Sequence, residues 1–457
     1  MSVSKTIANL DQLDRTLDSM LILPEAEGWD EARAAWNLAV DQRPAAIAIP
    51  PTADDVARVV RAASRFGLEV ATQTTGHNAG PLPVLDDVIL LKTTSLTGVE
   101  IDFEARRARV GGGTTWFEVT EPASSGGLAP LAGSAPDVGV AGYTLGGGLS
   151  WLGRRYGLGS NAVVSIDVVT ADGRHRTVDT GNDPDLFWAL RGGGGNFGVV
   201  TALEFELFPA PSVVAGWLAW PWERSREVLS AWSDWTRALP DEVTSTARLL
   251  QVPGLPAIPE SVRGRQLVVI EAAMLLSEPI AEDLLEPLRR LRPEIDTFAL
   301  IPPVALSHLH MDPDEPVPTT GDHRLVSALP TALIDHIVDT AGPATDSPLV
   351  VVELRHLGGA LARSTDDAGA LDRLAGEHML FAGGLTTDPE TGWAIESRLH
   401  ALLDGASPWD TGRRYSNFSE GRTDSRLFFS EETHRRLLAV RERVDPQRLF
   451  LANHAID

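Results

Sequence analysis

The chain has 457 residues, 39 basic against 63 acidic side chains, a net charge of −24 and no cysteine. That length exceeds one compact core and points to two or three lobes, while 43% hydrophobic and 22% charged content are those of a soluble globular protein. The acidic balance and the lack of a Lys/Arg block argue against nucleic acid or anionic membrane as partners; the missing cysteines exclude disulfides, thiolate nucleophiles and cysteine-bound zinc or iron–sulfur centres.

The first residues, MSVSKTIANLDQLDRTLDSMLIL, are broken by Asp11, Asp14, Arg15 and Asp18 before a signal-peptide core can form. No apolar run approaches the ~18 residues of a membrane span, so a cytoplasmic protein is expected. From Arg43 the pattern reads strand, capped helix, strand, loop. Thr52 is the expected N-cap, Val56, Val59, Val60 and Ala63 share a face, and Gly67 closes the helix. The following strand delivers His77 into the loop TTGHNAG. Short strands and turns then lead to GGGTTW, where Thr114 or Thr115 caps a helix holding Trp116 and Val119.

Residues 126–162 read as a glycine-spaced loop. VVSIDVVTADGRHRTV follows as a hairpin turning at Asp172-Gly173, then a helix capped by Asp183 with Pro184 first inside it, then a strand from about Val199 to Leu207. Beyond Pro209 glycine clusters thin out and a second lobe begins, opening with Trp217, Trp220, Trp222, Trp232 and Trp235. The last fifty residues read as a strand at RRYSNF, a polar link, an amphipathic helix and a tail. On such a strand Tyr415 and Asn417 share one face with Arg413.

Nucleotide fingerprints fail on context. Gly193–Gly198 satisfies G-x-G-x-x-G but follows a helix and precedes a strand, the reverse of the dinucleotide-binding order. The two lysines, Lys5 and Lys92, lie in no P-loop, and G-x-S-x-G is absent. His308, His310 and Asp312 alternate, but without a distant partner a solvated polar loop is expected and no metal. Several glycine loops spread over some 120 residues have another use: their backbone amides can line a long anionic cofactor where no Cβ intervenes.

The motif order GHNAG, GGGTTW, GSAPDVGVAGYTLGGG, VTADG, DLFWALRGGGGNFGVVTALEFELFP, YSNF and DPQRLFLANHAID resembles the FAD-linked oxidases of the vanillyl-alcohol-oxidase and berberine-bridge-enzyme type, over residues 43–208 and 412–457. The resemblance implies a two-domain α+β fold: an FAD domain over 1–209 made of two α/β subdomains, an inserted substrate domain over 210–405 built on an antiparallel sheet backed by helices, and a segment 406–457 returning to the FAD domain. It implies His77 as the 8α-histidyl anchor of the flavin. An imidazole titrating near about 6.5 keeps a lone pair at neutral pH and can attack the C8 methyl. It further assigns to the cofactor Thr75, Gly76, Asn78, Ala79, Gly80, Gly133, Ser134, Val138, Gly139, Gly142, Gly146, Gly147, Gly148, Gly198, Val200 and Asn453.

Ala135 stands where many relatives carry a cysteine that makes a second bond to the ring, so a single tether is expected. Tyr415 and Asn417 match the substrate-facing catalytic position, Tyr143 and Tyr156 are expected to pack or hydrogen-bond, and Val138 falls at the position that admits or blocks oxygen. The implied reaction moves a hydride from a small organic substrate (alcohol, sugar, amine or natural-product intermediate) to the flavin, with dioxygen as acceptor and hydrogen peroxide as product. A dehydrogenase serving a quinone or protein acceptor, and a non-catalytic flavin or metabolite carrier, stay open.

Overall fold

The computed structural model describes residues 3–256 and 258–457; residues 1 and 2 of the expected first domain lie outside them. In the first sheet Ala46–Ala48, Val88–Lys92, Glu69–Gln73 and Phe450–Leu451 run parallel, with Leu21–Ile22 antiparallel at the edge. The end of the chain thus pairs with the strand that leads into His77. Helix Ala53–Phe66 covers this sheet because Val56, Val59, Val60 and Ala63 form one fully buried stripe. Thr52 accepts the Asp55 N–H at its start, and Gly67 ends it in the left-handed region at φ 72°.

The second sheet, in the order Val99–Asp102, Arg107–Gly111, Val199–Glu206, Val163–Val169, His175–Val178, is antiparallel throughout. This corrects the expected second α/β subdomain to α+β: neighbours joined by a tight turn such as Asp172-Gly173 must pair antiparallel. Helix Trp116–Ser125 starts at Thr115 with a capping box to Glu118, and helix Pro184–Leu190 starts at Asp183. Between them, the expected loop of 126–162 contains short helices at Val140–Leu145 and Gly153–Tyr156. Val140, Ala141, Thr144 and Leu145 bury one face, a period hidden in the sequence by the surrounding glycines.

The third sheet is antiparallel and runs Ile295–Asp296, Val213–Pro221, Gln266–Met274, Val243–Gln251, Val351–His356, His378–Leu385, Thr319–Val326. Helices Ser225–Thr236, Glu278–Arg289, Thr331–Ala341 and Pro389–Gly405 back one face of it. Trp220, Trp222, Trp232 and Trp235 fill the core between sheet and helices, so these aromatic residues are structural. Three of them satisfy their indole N–H in that core: Trp220 donates to Leu291 O, Trp232 to Ser245 Oγ and Trp235 to Leu284 O. The other face turns toward the loops of the first two sheets. No helix among the described residues is long and apolar enough to cross a membrane.

The strand expected at RRYSNF does not form. Tyr415 is a single extended residue (φ −120°, ψ 119°) ahead of a 3-10 turn at Ser416–Phe418. The chain bends there because the Tyr415 carbonyl accepts the Phe418 N–H at 3.0 Å and the Ser419 hydroxyl at 3.3 Å.

Candidate active site

Loops from distant parts of the chain meet at His77. Its imidazole lies flat on the Trp36 indole, with ring centroids 4.2 Å apart and planes 17° apart. Nδ1 is 2.7 Å from the Thr75 hydroxyl, and Nε2 faces Asp137 Oδ1 at 3.5 Å. Asp137 Oδ2 accepts the Trp36 indole N–H at 2.5 Å. Burial works to raise the Asp137 carboxyl, but His77 and Trp36 outweigh it and the carboxyl stays below the ordinary aspartate value. Next in the loop, Asn78 Nδ2 donates to Ser416 O at 3.2 Å, and the Asn78 carbonyl accepts from Asn453 Nδ2. Gly80 lies so close to the backbone of Glu420 that a Cβ would strike the Glu420 carbonyl. Burial pushes the Glu420 carboxyl up to about 7.

Tyr415 is fully buried and held at every polar atom. Its N–H donates to His323 Nε2 at 2.8 Å, which requires that nitrogen to be unprotonated, in keeping with burial holding His323 below its ordinary value. Its hydroxyl accepts from Asn417 Nδ2 at 3.2 Å, and its ring stacks on Phe418. Asn417 also donates to Tyr143 O at 2.9 Å, and Ser416 Oγ donates to Gly146 O. The turn Gly146–Gly148 passes between these groups: Gly147 and Gly148 sit at φ 122° and 81°, and side chains there would run into Tyr415 and Tyr143. Burial raises the Tyr415 phenol above the ordinary tyrosine range; the Gly148 N–H, Arg355 and Asn417 work the other way without prevailing. The phenol is therefore a hydrogen-bonding acid at neutral pH. Arg413, placed beside Tyr415 on the expected strand, turns away to the carbonyls of Arg426 and Phe429. Tyr143 donates to Leu131 O at 3.0 Å, and Tyr156 stacks on Phe208.

Facing this knot, the third sheet carries charge. Period-two alternation puts Thr244, Thr246 and Arg248 on one face of their strand, as it does Glu353 and Arg355 on theirs. Thr244, Thr246, Arg355 and His356 line a cavity closed by Ser134 and Trp151. Beside it His310 is buried between Glu271 Oε2 at 2.6 Å and Glu353 Oε2 at 2.7 Å. Glu271 pairs also with Arg248, and Glu353 with Arg355. Burial and Arg248 would lower the imidazole, but Glu271, Glu353 and Asp312 outweigh them and it titrates near about 9. The expected solvated loop at His308–Asp312 is thus corrected. His308 is exposed, His310 is buried in an ion network, and Asp312 accepts from Ser134 at 2.7 Å. Among the described residues no cluster of three His, Asp or Glu could hold a metal ion.

Thr75, Asn78, Gly80, Gly146, Gly147, Tyr415, Asn417 and Asn453 are brought together by these contacts. Gly76 makes the left-handed turn before His77 at φ 90°, and Ala79 is buried behind the loop. Gly139 packs on Thr74, Gly142 opens onto free space, Gly133 lies against the Tyr143 ring, and the Val138 carbonyl accepts the Trp116 N–H. Ser134 instead faces the third sheet through Asp312. Val200 belongs to the second sheet, and Gly198 stands just before its strand Val199–Glu206, against Val168 and Val169. Trp36, Asp137, His323, Glu271 and the Glu353–Arg355 pair escaped sequence reasoning. For Glu271 a signal existed: it is the one charged residue in the strand Gln266–Met274.

Residues 44–179 match the FAD binding domain family. The chain is 36% identical over 206 residues to (R)-6-hydroxynicotine oxidase of Paenarthrobacter nicotinovorans, a match spanning 45% of each protein. Its fold superposes on the crystal structure of 6-hydroxy-D-nicotine oxidase from Arthrobacter nicotinovorans with a TM-score of 0.84 at 26% identity, covering 96% of this chain and 97% of the other. Physcomitrella patens BBE-like 1 gives 0.85 at 18% identity, covering 97% and 99%, a likeness of fold. The site suits FAD, the cofactor named by the matched family. Asn78 Oδ1, Thr144 Oγ1, Ser160 Oγ and both ring nitrogens of His454 are buried without hydrogen-bond partners, a set of polar atoms that a long polar ligand would satisfy.

Proposed function

Taking the chain as an FAD-linked oxidoreductase with the two-domain berberine-bridge-enzyme-like fold, we propose that it is an oxidase of a small oxygen-rich organic substrate, an alcohol or a sugar, and that His77 tethers its flavin covalently. One observation carries the reading: the His77 loop, the Gly146–Gly148 turn and the Tyr415–Asn417 pair, far apart in sequence, converge, and the residues that follow the turn, Leu149, Ser150 and Trp151, line a cavity together with Thr244, Thr246 and Arg355 of the third sheet. FAD, when bound, accepts a hydride from substrate and yields the electrons to dioxygen. The protein binds, orients and shields. Tyr415 and Asn417 present a fixed hydroxyl–amide pair beside the glycine turn, and the raised phenol serves as an orienting hydrogen-bond partner for the substrate rather than as the group that takes its proton. The cavity lining, with the Thr244 and Thr246 hydroxyls and the Arg355 guanidinium, suits neutral or electron-rich oxygens better than a cationic amine.

The test is anaerobic reduction of the bound flavin by a panel of alcohols, sugars and amines, followed by admission of air. Bleaching by an alcohol or sugar and immediate recovery in air with hydrogen peroxide is the expected outcome. Reduction by amines alone, or recovery only with a quinone dye, defeats the reading. In the same assay Tyr415→Phe should slow reduction at least about tenfold through loss of substrate orientation, while the flavin stays bound. Val138 is half-buried against the core that holds the glycine turn, and interiors are packed closely enough for one methylene to matter. Val138→Ile should therefore slow recovery in air without slowing reduction; equal effects on both half-reactions would make Val138 a packing residue.

A further inference from the structure

Asp137 lies two residues beyond Ala135, in the loop where a second tether would have formed. Its two oxygens have different duties. Oδ2 is pinned by the Trp36 indole N–H at 2.5 Å, and that indole is itself the surface on which the His77 ring lies. Trp36 is fixed in turn through its backbone N–H, which donates to Thr75 O at 2.9 Å. Oδ1 faces His77 Nε2 at 3.5 Å, an ion-pair separation, and both atoms are buried with no hydrogen bond made. On the far side of the ring Nδ1 meets the Thr75 hydroxyl, which can donate to it. A carboxylate facing one ring nitrogen and a hydroxyl donor facing the other select a single neutral tautomer: hydrogen on Nε2, lone pair on Nδ1.

We propose that Asp137 is the positioning residue for flavin attachment: it holds His77 in that tautomer and takes up the Nε2 proton as Nδ1 becomes bonded. The proposal rests on the covalent reading above. In the attachment one C–H bond of the flavin C8 methyl breaks, the carbon–Nδ1 bond forms, and the imidazole loses its N–H through Asp137. The two electrons and two protons released leave with dioxygen as hydrogen peroxide, so the oxidised flavin is regenerated. Attachment makes the ring transiently cationic, and a carboxylate already aimed at Nε2 stabilises that charge without reorganisation. Asn at 137 would keep the acceptor for Trp36 but lose the charge, and its amide hydrogens would favour the opposite tautomer.

The test compares wild type, Asp137→Asn, Asp137→Glu and Trp36→Phe, each expressed with the same flavin supply and precipitated with acid. In D137N the acid-stable flavin should form at least about tenfold more slowly, within the range for loss of a proton-accepting group, while FAD remains bound and acid-releasable. D137E should recover part of the rate, and W36F, which keeps the ring stack but frees the carboxylate, should fall between. The wild-type flavin peptide should carry the link on Nδ1, read by nuclear magnetic resonance of the isolated histidyl flavin. An unchanged rate in D137N, or a link through Nε2, overturns the proposal alone. Acid-releasable flavin in the wild type overturns the tether and the proposal together. If D137N binds no flavin, a wild-type rate in W36F overturns it and a reduced one supports it.

Discussion

Replacing His310 with glutamine should lower the free energy of unfolding by about 3 kcal/mol near pH 6.5, the lower end for removing one member of a buried ion cluster. Among the described residues the imidazolium alone bridges Glu271 and Glu353; without it each carboxylate keeps one arginine, and two buried negative charges face each other across the vacated position. The pH dependence has a definite sign. The folded-state value near about 9 lies above the ordinary histidine value of about 6.5, so the stabilisation is complete below about 6.5 and is lost as pH rises through about 9. Urea unfolding of wild type and H310Q at pH 6.5 and at pH 9.5 checks this: the gap between them should shrink at the higher pH. A gap below about 1 kcal/mol that ignores pH would mean that the imidazole is neutral and its glutamates are satisfied by Arg248 and Arg355 alone.

His77→Ala should abolish covalent flavin altogether while leaving a folded protein that binds FAD reversibly. The Thr75–Gly80 backbone is held by Asn78, Asn453 and Ser416 and by the close approach of Gly80 to Glu420, none of which needs the imidazole. Loss of the alkyl-nitrogen substituent removes an electron-withdrawing group from the ring, so residual turnover should fall as well. A variant that still carries flavin through acid precipitation would place the tether on another residue.

How far the sequence carries the fold is plain from particular elements. Thr52, Asp55 and Gly67 announce a helix, and Asp172-Gly173 a hairpin, because caps and turns are local chemistry. The motif order over residues 43–208 carried the FAD-binding part, and the matched segment 44–179 falls inside it. What stayed hidden was set by contacts between distant residues. RRYSNF has strand propensity, but antiparallel pairing with the edge strand Thr319–Val326 stops at Asp410 and Thr411, and Tyr415 is instead fixed by the His323 side chain, 92 positions away. His310 looked like a surface histidine because Glu271 and Glu353, on two other strands, are visible as its partners only once the sheet is assembled. Asp137 stood in plain view inside GSAPDVG, but its role depends on Trp36, 101 residues upstream, where no motif falls.

The cofactor assignment and its tether are tested most directly by the visible absorbance of the purified protein before and after acid precipitation, followed by peptide mapping. Yellow colour in the native protein that stays with the pellet and maps to the peptide containing His77, with none at Ala135 or elsewhere, is the expected result. A colourless pellet with intact FAD in the supernatant would contradict the tether, and a protein with no flavin bands after supply of FAD would contradict the assignment of this chain as a flavoenzyme.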